Sequence, residues 1–439
     1  MVRRIRWSAV LAAGLVLALV GTAIAAVTYG ARKAIPGNYA YNYSNSLDYT
    51  GTPGANSFRL QEAFVTDAAE PAVVKHTRSS DGVTWSKAKK VSGKQNAEGS
   101  SLAAAGNTVI VGWMTGYSYY DANDVPRQLQ VNVSTDNGVS WTGVDKLSSG
   151  KGQVDYPIVA AAEVGATTNV YAAWVDSKTC KVRFRQSSDG ATTWSAPITL
   201  GTTTATVEGA AYGCAGYANI AAVEDLISVA WIADDTGALK VRSINLGGDA
   251  AASATLANWN GITTLNDDVS VSQNGWPIVS SSPLVPDVIT IAYNTDTAQR
   301  YTTYEGGGTS AVAAGTTIYT NGTIGANTYA GGYSTVVEPA PGGFVAMWAG
   351  CRDVGIANPC NYGSQKAKFD LLESTSTNGT SWNAPRVLEA SKASQQLNDE
   401  PSIVAVPNDG GVKVFAQYNA YKSTYNYYDV WMKIGTGTL

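Results

Sequence analysis

Apolar positions along this 439-residue chain fall into short runs that recur at a nearly constant interval. Six runs end in an aromatic residue: Val109-Ile110-Val111-Gly112-Trp113, Val170-Tyr171-Ala172-Ala173-Trp174, Ile227-Ser228-Val229-Ala230-Trp231, Ile289-Thr290-Ile291-Ala292-Tyr293, Phe344-Val345-Ala346-Met347-Trp348 and Val414-Phe415-Ala416-Gln417-Tyr418. Their aromatic ends are 61, 57, 62, 55 and 70 residues apart. Upstream of most lies a shorter run of small residues, such as Ser101-Leu102-Ala103-Ala104, Pro157-Ile158-Val159-Ala160, Asn219-Ile220-Ala221-Ala222 and Pro401-Ser402-Ile403-Val404. Runs of this length, rich in β-branched and aromatic residues, read as strands. A period near sixty fits a four-stranded unit with its loops, so the pattern predicts an all-β chain folded as a β-propeller of four-stranded antiparallel blades. The small-residue run becomes the innermost strand, where the blades crowd toward the axis. Leu60-Gln61-Glu62-Ala63-Phe64 supplies a seventh copy, which favours seven blades over the six-bladed alternative. The last unit ends after a third strand at 430–434, and residues 39–43 are expected to supply its outer strand.

A second repeat is a turn. Ser-Thr-Asp-Asn-Gly-Val-Ser-Trp occupies 134–141, and Ser-Ser-Asp-Gly-Ala-Thr-Thr-Trp, with its glycine one place early, occupies 187–194. Shorter forms stand at 79–85 and, with Asn for Asp, at 376–382. Asp or Asn folds back onto nearby backbone N–H groups, Gly takes the positive-φ position, and Ser adds a local hydrogen bond. The Trp opens the next strand and packs into the seam beside it. The units near 247 and 306 carry only glycine clusters. These turns resemble those of the Asp-box (bacterial neuraminidase repeat) proteins, which include sialidases, xyloglucanases and sortilin-like receptors. The resemblance spans residues 57–439 and implies a sialidase-like propeller in which Asp81, Asp136, Asp189 and Asn378 are structural.

Composition narrows the setting. Hydrophobic residues make up 44% of the chain, which argues against disorder; charged residues make up 15% and the net charge is −4, which leaves no basic surface for nucleic acid. Arg3, Arg4 and Arg6 precede an apolar stretch that ends in Ala23-Ile24-Ala25, so residues 1–26 read as a signal peptide or a retained membrane anchor. Both place the rest outside the cytoplasm, with residues 27–56 as a linker and 57–439 as a single propeller domain. Four cysteines suit that oxidising compartment: Cys351 with Cys360 is expected to close one loop, and Cys180 with Cys214 to tie two consecutive repeats. His76 is the only histidine, which excludes zinc and histidine-dependent nucleophilic catalysis for practical purposes.

Strand order places the boxes on one rim and the starts of the inner strands on the other, over the mouth of the channel. There, Glu98, Asp155, Asp399, Tyr117 and Trp276 are the candidate ligand contacts. Carboxylates accept from sugar hydroxyls, and aromatic faces stack on sugar C–H patches. Asp121 and Asp124 form an oxygen-rich loop suited to Ca²⁺. The plain alternative is that these acidic loops are solvated strand ends. The sialidase resemblance would require three arginines to fork a substrate carboxylate, a tyrosine nucleophile and an acid. Arg59, Arg300, Arg352, Tyr418 and Glu400 are the candidates for those roles. The fit is loose: Phe58-Arg59-Leu60-Gln61 lacks the family's proline, and the first box follows Arg59 by only 20 residues. The expected function is therefore non-catalytic recognition of a glycan or another surface component. A sialidase-like hydrolase is the first alternative and a structural envelope component the second.

Overall fold

The computed structural model describes residues 26–35, 40–41, 46–66, 72–93, 96–115, 127–148, 154–204, 214, 217–233, 237–266, 276–305, 315–355, 360, 367–391, 396–422 and 427–439. The chain is a seven-bladed β-propeller, each blade a four-stranded antiparallel sheet. From the axis outward, blade 1 is Leu47–Thr50, Arg59–Thr66, Val73–Ser79 and Lys89–Lys90, with Ala40–Tyr41 extending its inner edge. Blade 2 is Ala97–Ala105, Thr108–Thr115, Gln128–Ser134 and Asp145–Lys146. Blade 3 is Val154–Val164, Thr167–Asp176, Lys181–Ser187 and Ile198–Thr202. Blade 4 is Ala218–Val223, Leu226–Ile232, Leu239–Asn245 and Thr263–Asn266; blade 5 is Ile278–Ser282, Val285–Asn294, Ala298–Glu305 and Thr316–Thr320. Blade 6 is Asn327–Ala340, Gly343–Arg352, Lys368–Ser376 and Arg386–Glu389.

Blade 7 closes the ring with strands from both ends of the sequence. Gln396–Asn408, Gly411–Lys422 and Tyr427–Thr438 come from the C-terminal part, and Ala26–Tyr29 pairs with the last of them, Ala26 opposite Thr438 and Tyr29 opposite Gly435. Lys33–Ala34 continues the same edge. The closing strand thus lies upstream of the expected 39–43 segment; Ala40 and Tyr41 pair instead with Thr66 and Val65 on the inner side of blade 1. Where a linker was expected over 27–56, the described segments Ala26–Tyr29, Lys33–Ala34, Ala40–Tyr41 and Leu47–Thr50 pair into the ring. Apolar residues in that stretch were the available signal: Val27 is fully buried, and Ile35, Leu47 and Tyr49 are core residues. The expected signal or anchor lies outside the described residues, apart from Ala26. Among the described residues no helix is long and apolar enough to cross a membrane.

The aromatic ends of the second strands explain why the blades stay together. Each packs against the preceding blade: Trp113 with Ala63 and Val74, Trp174 with Val131, Trp231 with Phe184, Tyr293 with Val241, Trp348 with Tyr301, Tyr418 with Leu371, and Phe64 with Phe415 of blade 7. All seven are almost wholly buried. Removing one such ring from a packed interior costs about 3–5 kcal/mol.

The four turns, three serine–aspartate and one serine–asparagine, share one hydrogen-bond pattern. In the first, Ser79 Oγ accepts from Gly82 N at 2.8 Å, and Asp81 Oδ1 accepts from Val83 N at 2.8 Å and Thr84 N at 2.7 Å. Ser134 and Asp136, Ser187 and Asp189, and Ser376 and Asn378 repeat it. The glycine serves two ends: Gly82 has φ 75°, and a Cβ there would meet the Phe415 ring of the preceding blade at 2.8 Å. The turn tryptophan stands four residues before the outer strand, at Trp85, Trp141, Trp194 and Trp382. Blade 4 has no such turn, yet Trp259 occupies the same place before Thr263, set by two 3₁₀ turns, Ala252–Ala254 and Leu256–Asn258. Its ring lies edge-on to Phe184 of blade 3 at 5.0 Å. His76 is spent on the same seam. It is buried against Trp141, bonds to Gln61 Oε1 at 2.8 Å, and is pushed down to about 3, chiefly by burial, so it is neutral at ordinary pH.

Two expectations follow. Val27→Asp puts a charge into the closing seam and should cost about 3 kcal/mol or more of stability, read by urea denaturation; an unchanged midpoint would remove this strand from the closure. Desolvation is the largest single influence on Asp136 and pushes it up, but the hydrogen bonds from Ser140, Ser134 and Val139 together outweigh it and hold the group down to about 2. A carboxylate with a depressed native pKa stabilises the fold above its unfolded pKa and loses that contribution as pH falls through the native one. Asp136→Ala should therefore cost about 1 kcal/mol at pH 7, and the gap to wild type should close as pH falls from about 4 toward 2.

Candidate functional site

Inner strands begin, and second strands end, on what is here termed the loop face; the hairpins between first and second strands and the serine–aspartate turns lie on the opposite turn face. The loop-face ends of four inner strands break register in the same way: between Glu98 and Ser100, Asp155 and Ile158, Tyr333 and Val336, and Asp399 and Ser402. The bulged residues Gly99, Ser334 and Glu400 have φ of 53°, 50° and 47°. Such bulges bend the strand and re-aim side chains, and a non-glycine residue at positive φ is held there only by its surroundings. Glu98, Asp155, Asp399 and Glu400, expected to precede the inner strands, thus lie within them. Pro157 and Pro401 look like strand starts in the sequence, but a proline is tolerated inside a strand where the ladder is already interrupted.

These bulges bring Glu98, the Asp155 backbone, Asp399 and Glu400 onto one rim, in blades 2, 3 and 7. Asp399 and Glu400 are buried, and Glu400 Oε2 accepts from Asn419 Nδ2 at 3.3 Å. Glu62, wholly buried in the second strand of blade 1, stands between them in blade order. Sequence reading missed it because it falls in an apolar run. The facing arc is aromatic. Trp276 precedes the inner strand of blade 5 and stacks on Tyr217, which precedes that of blade 4, at 3.8 Å between centroids and 24° between planes. The disulfide Cys180–Cys214 ties blade 3 to the approach of blade 4 beside this pair, and Cys351–Cys360 closes the loop after the second strand of blade 6. Both pairings are as expected. Tyr117, Asp121 and Asp124 lie outside the described residues.

The sialidase candidates do not converge. Arg59 opens the second strand of blade 1 at the turn face, where it donates to the carbonyls of Asn56 and Phe58 at 2.7 and 2.6 Å. Arg352 ends the second strand of blade 6 at the loop face, on the other side of the molecule. It is held by Asp370, Nε to Oδ2 at 2.9 Å, with a second, shorter bond from Nη2 to Oδ1. Asp370 is wholly buried and also accepts from Tyr329 Oη at 2.7 Å and Ser391 N at 2.7 Å. Arg300 sits in the third strand of blade 5, paired with Tyr293 and Thr317, its Nε buried without a hydrogen bond among the described residues. Tyr418 is the blade 7 seam aromatic, and burial, then Glu389, pushes its hydroxyl above the ordinary range. A tyrosine nucleophile needs the opposite shift and an open face.

The seven inner strands line a central channel of about 1130 Å³ that opens at the turn face. Its wall is small and apolar at the waist, with Ala103 to Ala105, Ala160 to Ala162 and Ala221 to Ala222. Toward the turn face it carries Asp48, Glu163, Glu224, Asp225 and Glu338. Burial raises the Asp48 carboxyl to about 7 although Ala104 N and Tyr49 N donate to it, and burial, then Asp48, holds Glu338 well above the usual carboxylate range. Sequence reading missed both: Asp48 fell in the expected linker, and Glu338 interrupts an apolar run as one charge among valines.

No family model matches the chain, and no curated protein matches it in sequence. Among solved structures, it is similar to the polysaccharide lyase Uly1 at a TM-score of 0.49 and 10% identity, covering 94% of this chain and 97% of that one. A Trypanosoma rangeli sialidase in complex with the inhibitor DANA gives 0.43 and 11%, covering 79% of this chain and 56% of the sialidase, so the chain matches little more than half of that protein. The Penicillium chrysogenum α-L-arabinanase complexed with arabinobiose gives 0.40 and 12%, covering 74% and 89%. At these values the likeness carries nothing about ligand or chemistry.

Arg352→Ala leaves the buried Asp370 carboxylate without its counter-charge. It should lower stability by about 3 kcal/mol in urea denaturation. A variant as stable as wild type would show that Arg352 is free for another task.

Proposed function

We propose that this chain is an Asp-box propeller of the extracytoplasmic space whose loop face recognises carbohydrate without hydrolysing it. The observation that carries this reading is the composition of one rim: the Tyr217–Trp276 stack on blades 4 and 5, facing the carboxylates of Glu98, Asp399 and Glu400 on blades 2 and 7. A stacked, disulfide-braced aromatic offers a flat apolar surface to the C–H face of a sugar ring, and the carboxylates offer acceptors to its hydroxyls. Asn419 holds Glu400 and so fixes the direction of one acceptor. The two disulfides support an oxidising compartment. The three serine–aspartate turns and the one serine–asparagine turn support the Asp-box kinship.

Catalysis of the sialidase kind would ask three arginines to meet over one mouth. Arg59 and Arg352 are instead on opposite faces, each bound to partners of its own, and Tyr418 is sealed in a seam. That separation favours recognition over hydrolysis.

The test is an array of neutral and acidic oligosaccharides probed with the folded chain, followed by calorimetry on the best binder. Trp276→Ala should weaken that binder at least about tenfold, the scale of one lost stacking contact of 1.4 kcal/mol, with an unchanged circular dichroism spectrum. Parallel incubation with a fluorogenic sialoside should give no turnover. Binding indifferent to Trp276 would sink the assignment of the rim, and turnover lost on Arg352→Ala would replace recognition with hydrolysis.

A further inference from the structure

We propose that the turn-face end of the central channel holds a hard divalent cation, with Asp48 and Glu338 as its protein ligands. This end is remote from the carbohydrate rim, and the inference does not depend on that reading.

Both carboxylates line the channel near the ends of their inner strands, Asp48 two residues before the end of Leu47–Thr50 and Glu338 two before the end of Asn327–Ala340. They come from blades 1 and 6, on either side of blade 7. The Glu338 side chain is 95% buried by its 5% exposure, and it has no hydrogen bond or ion pair among the described residues; its charged neighbour is Asp48. Tyr49 Oη, also in the channel wall, is buried with no hydrogen bond of normal geometry. Asp48 is partly satisfied: Oδ1 accepts from Tyr49 N at 2.8 Å and Oδ2 from Ala104 N at 2.7 Å, which leaves each oxygen a free lone pair.

A buried carboxylate with neither donor nor counter-charge is expensive, and a second one beside it adds repulsion. Nothing basic offsets the pair, because no Lys, Arg or His stands among the described residues that line the channel, while Glu163, Glu224 and Asp225 add three more acids toward the mouth. A cation balances the charge and satisfies Glu338 in one step. The donors are all oxygen, with no imidazole or thiolate, which selects the Ca²⁺ and Mg²⁺ class over zinc or copper. Such ions keep bound water when the protein supplies few ligands, and a channel of about 1130 Å³ has room for it. The acidic mouth draws cations inward.

The experiment uses the whole folded chain, stripped with EDTA and dialysed, then titrated with CaCl₂ and separately MgCl₂ by calorimetry and by melting temperature. Wild type should show one saturable site for at least one of the two ions and, at about a hundredfold excess over Kd, a melting point raised by about 3–5 °C. Glu338→Gln should abolish the site while melting in EDTA no lower than wild type, since the change removes a charge that bonds to nothing. Asp48→Asn should also abolish it. Should that variant fail to fold for want of the Ala104 bond, Glu338→Gln carries the test alone. Glu163→Gln, at the mouth, should keep the site. No saturable binding by wild type, together with a higher melting point for Glu338→Gln in EDTA, would mean that the two carboxylates merely share a proton, and would overturn the proposal. Binding retained in Glu338→Gln would place the ion elsewhere and overturn it equally.

Discussion

Everything in this molecule depends on the seam between neighbouring blades. A four-stranded sheet that is apolar on both faces cannot stand alone in water, and each blade buries one face only by lending it to the next. The unit of that exchange is a ring on the second strand pressed against the preceding blade: Phe64, Trp113, Trp174, Trp231, Tyr293, Trp348 and Tyr418. A circle of such seams has no free end, so the first and last blades must also meet. Pairing Ala26–Tyr29 with the C-terminal strand adds a hydrogen-bonded ladder to that meeting and covers an edge that would otherwise invite another chain.

The same constraint decides which parts of the fold can be read from sequence. A seam needs a large ring at a fixed place in every blade, and a large ring at a fixed interval is visible as a period. Blade count and strand order follow from it. The closing strand is not visible in that way, because Ala-Val-Thr-Tyr is short, carries no ring in the repeat position, and pairs with residues more than 400 positions away. Only Val27 and Ile35, buried side chains in an expected linker, hint that the stretch has a place in the core. Trp259 shows the converse. Without a serine–aspartate motif the turn of blade 4 looks unrelated to the others, yet the ring stands the same four residues before the outer strand, because the seam requires the ring and not the turn that delivers it.

The candidate rim was legible in part. The acids at the inner-strand starts were visible, but their place in the strand was off by a few residues. A proline reads as the edge of a strand, whereas Asp155 and Asp399 show the strand running through it, with a bulge absorbing the missing N–H. That shift moves Asp399 and Glu400 from free loop ends into the buried wall of the mouth. Tyr418 was misread for a related reason. It looked like a nucleophile by its place in the last unit, although its own repeat, six other buried aromatics at the same register, already accounted for it.

The carboxylates sort by how their surroundings treat charge, and the sorting inverts what the sequence displays most loudly. Asp81, Asp136 and Asp189 are the conspicuous ones, each in a repeated motif. Yet backbone and hydroxyl donors hold them ionised well below neutral pH, at the solvent rim, so they have no proton to give. Asp48 and Glu338 belong to no motif. Desolvation works against their charge, and few or no donors offset it. A group that the fold has already satisfied contributes to stability and to little else, whereas a group that the fold buries without satisfying is one whose balance must come from outside the chain. By that criterion the axial carboxylates are where a charge from outside the chain is called for, and the repeats that make the propeller recognisable are the frame around them.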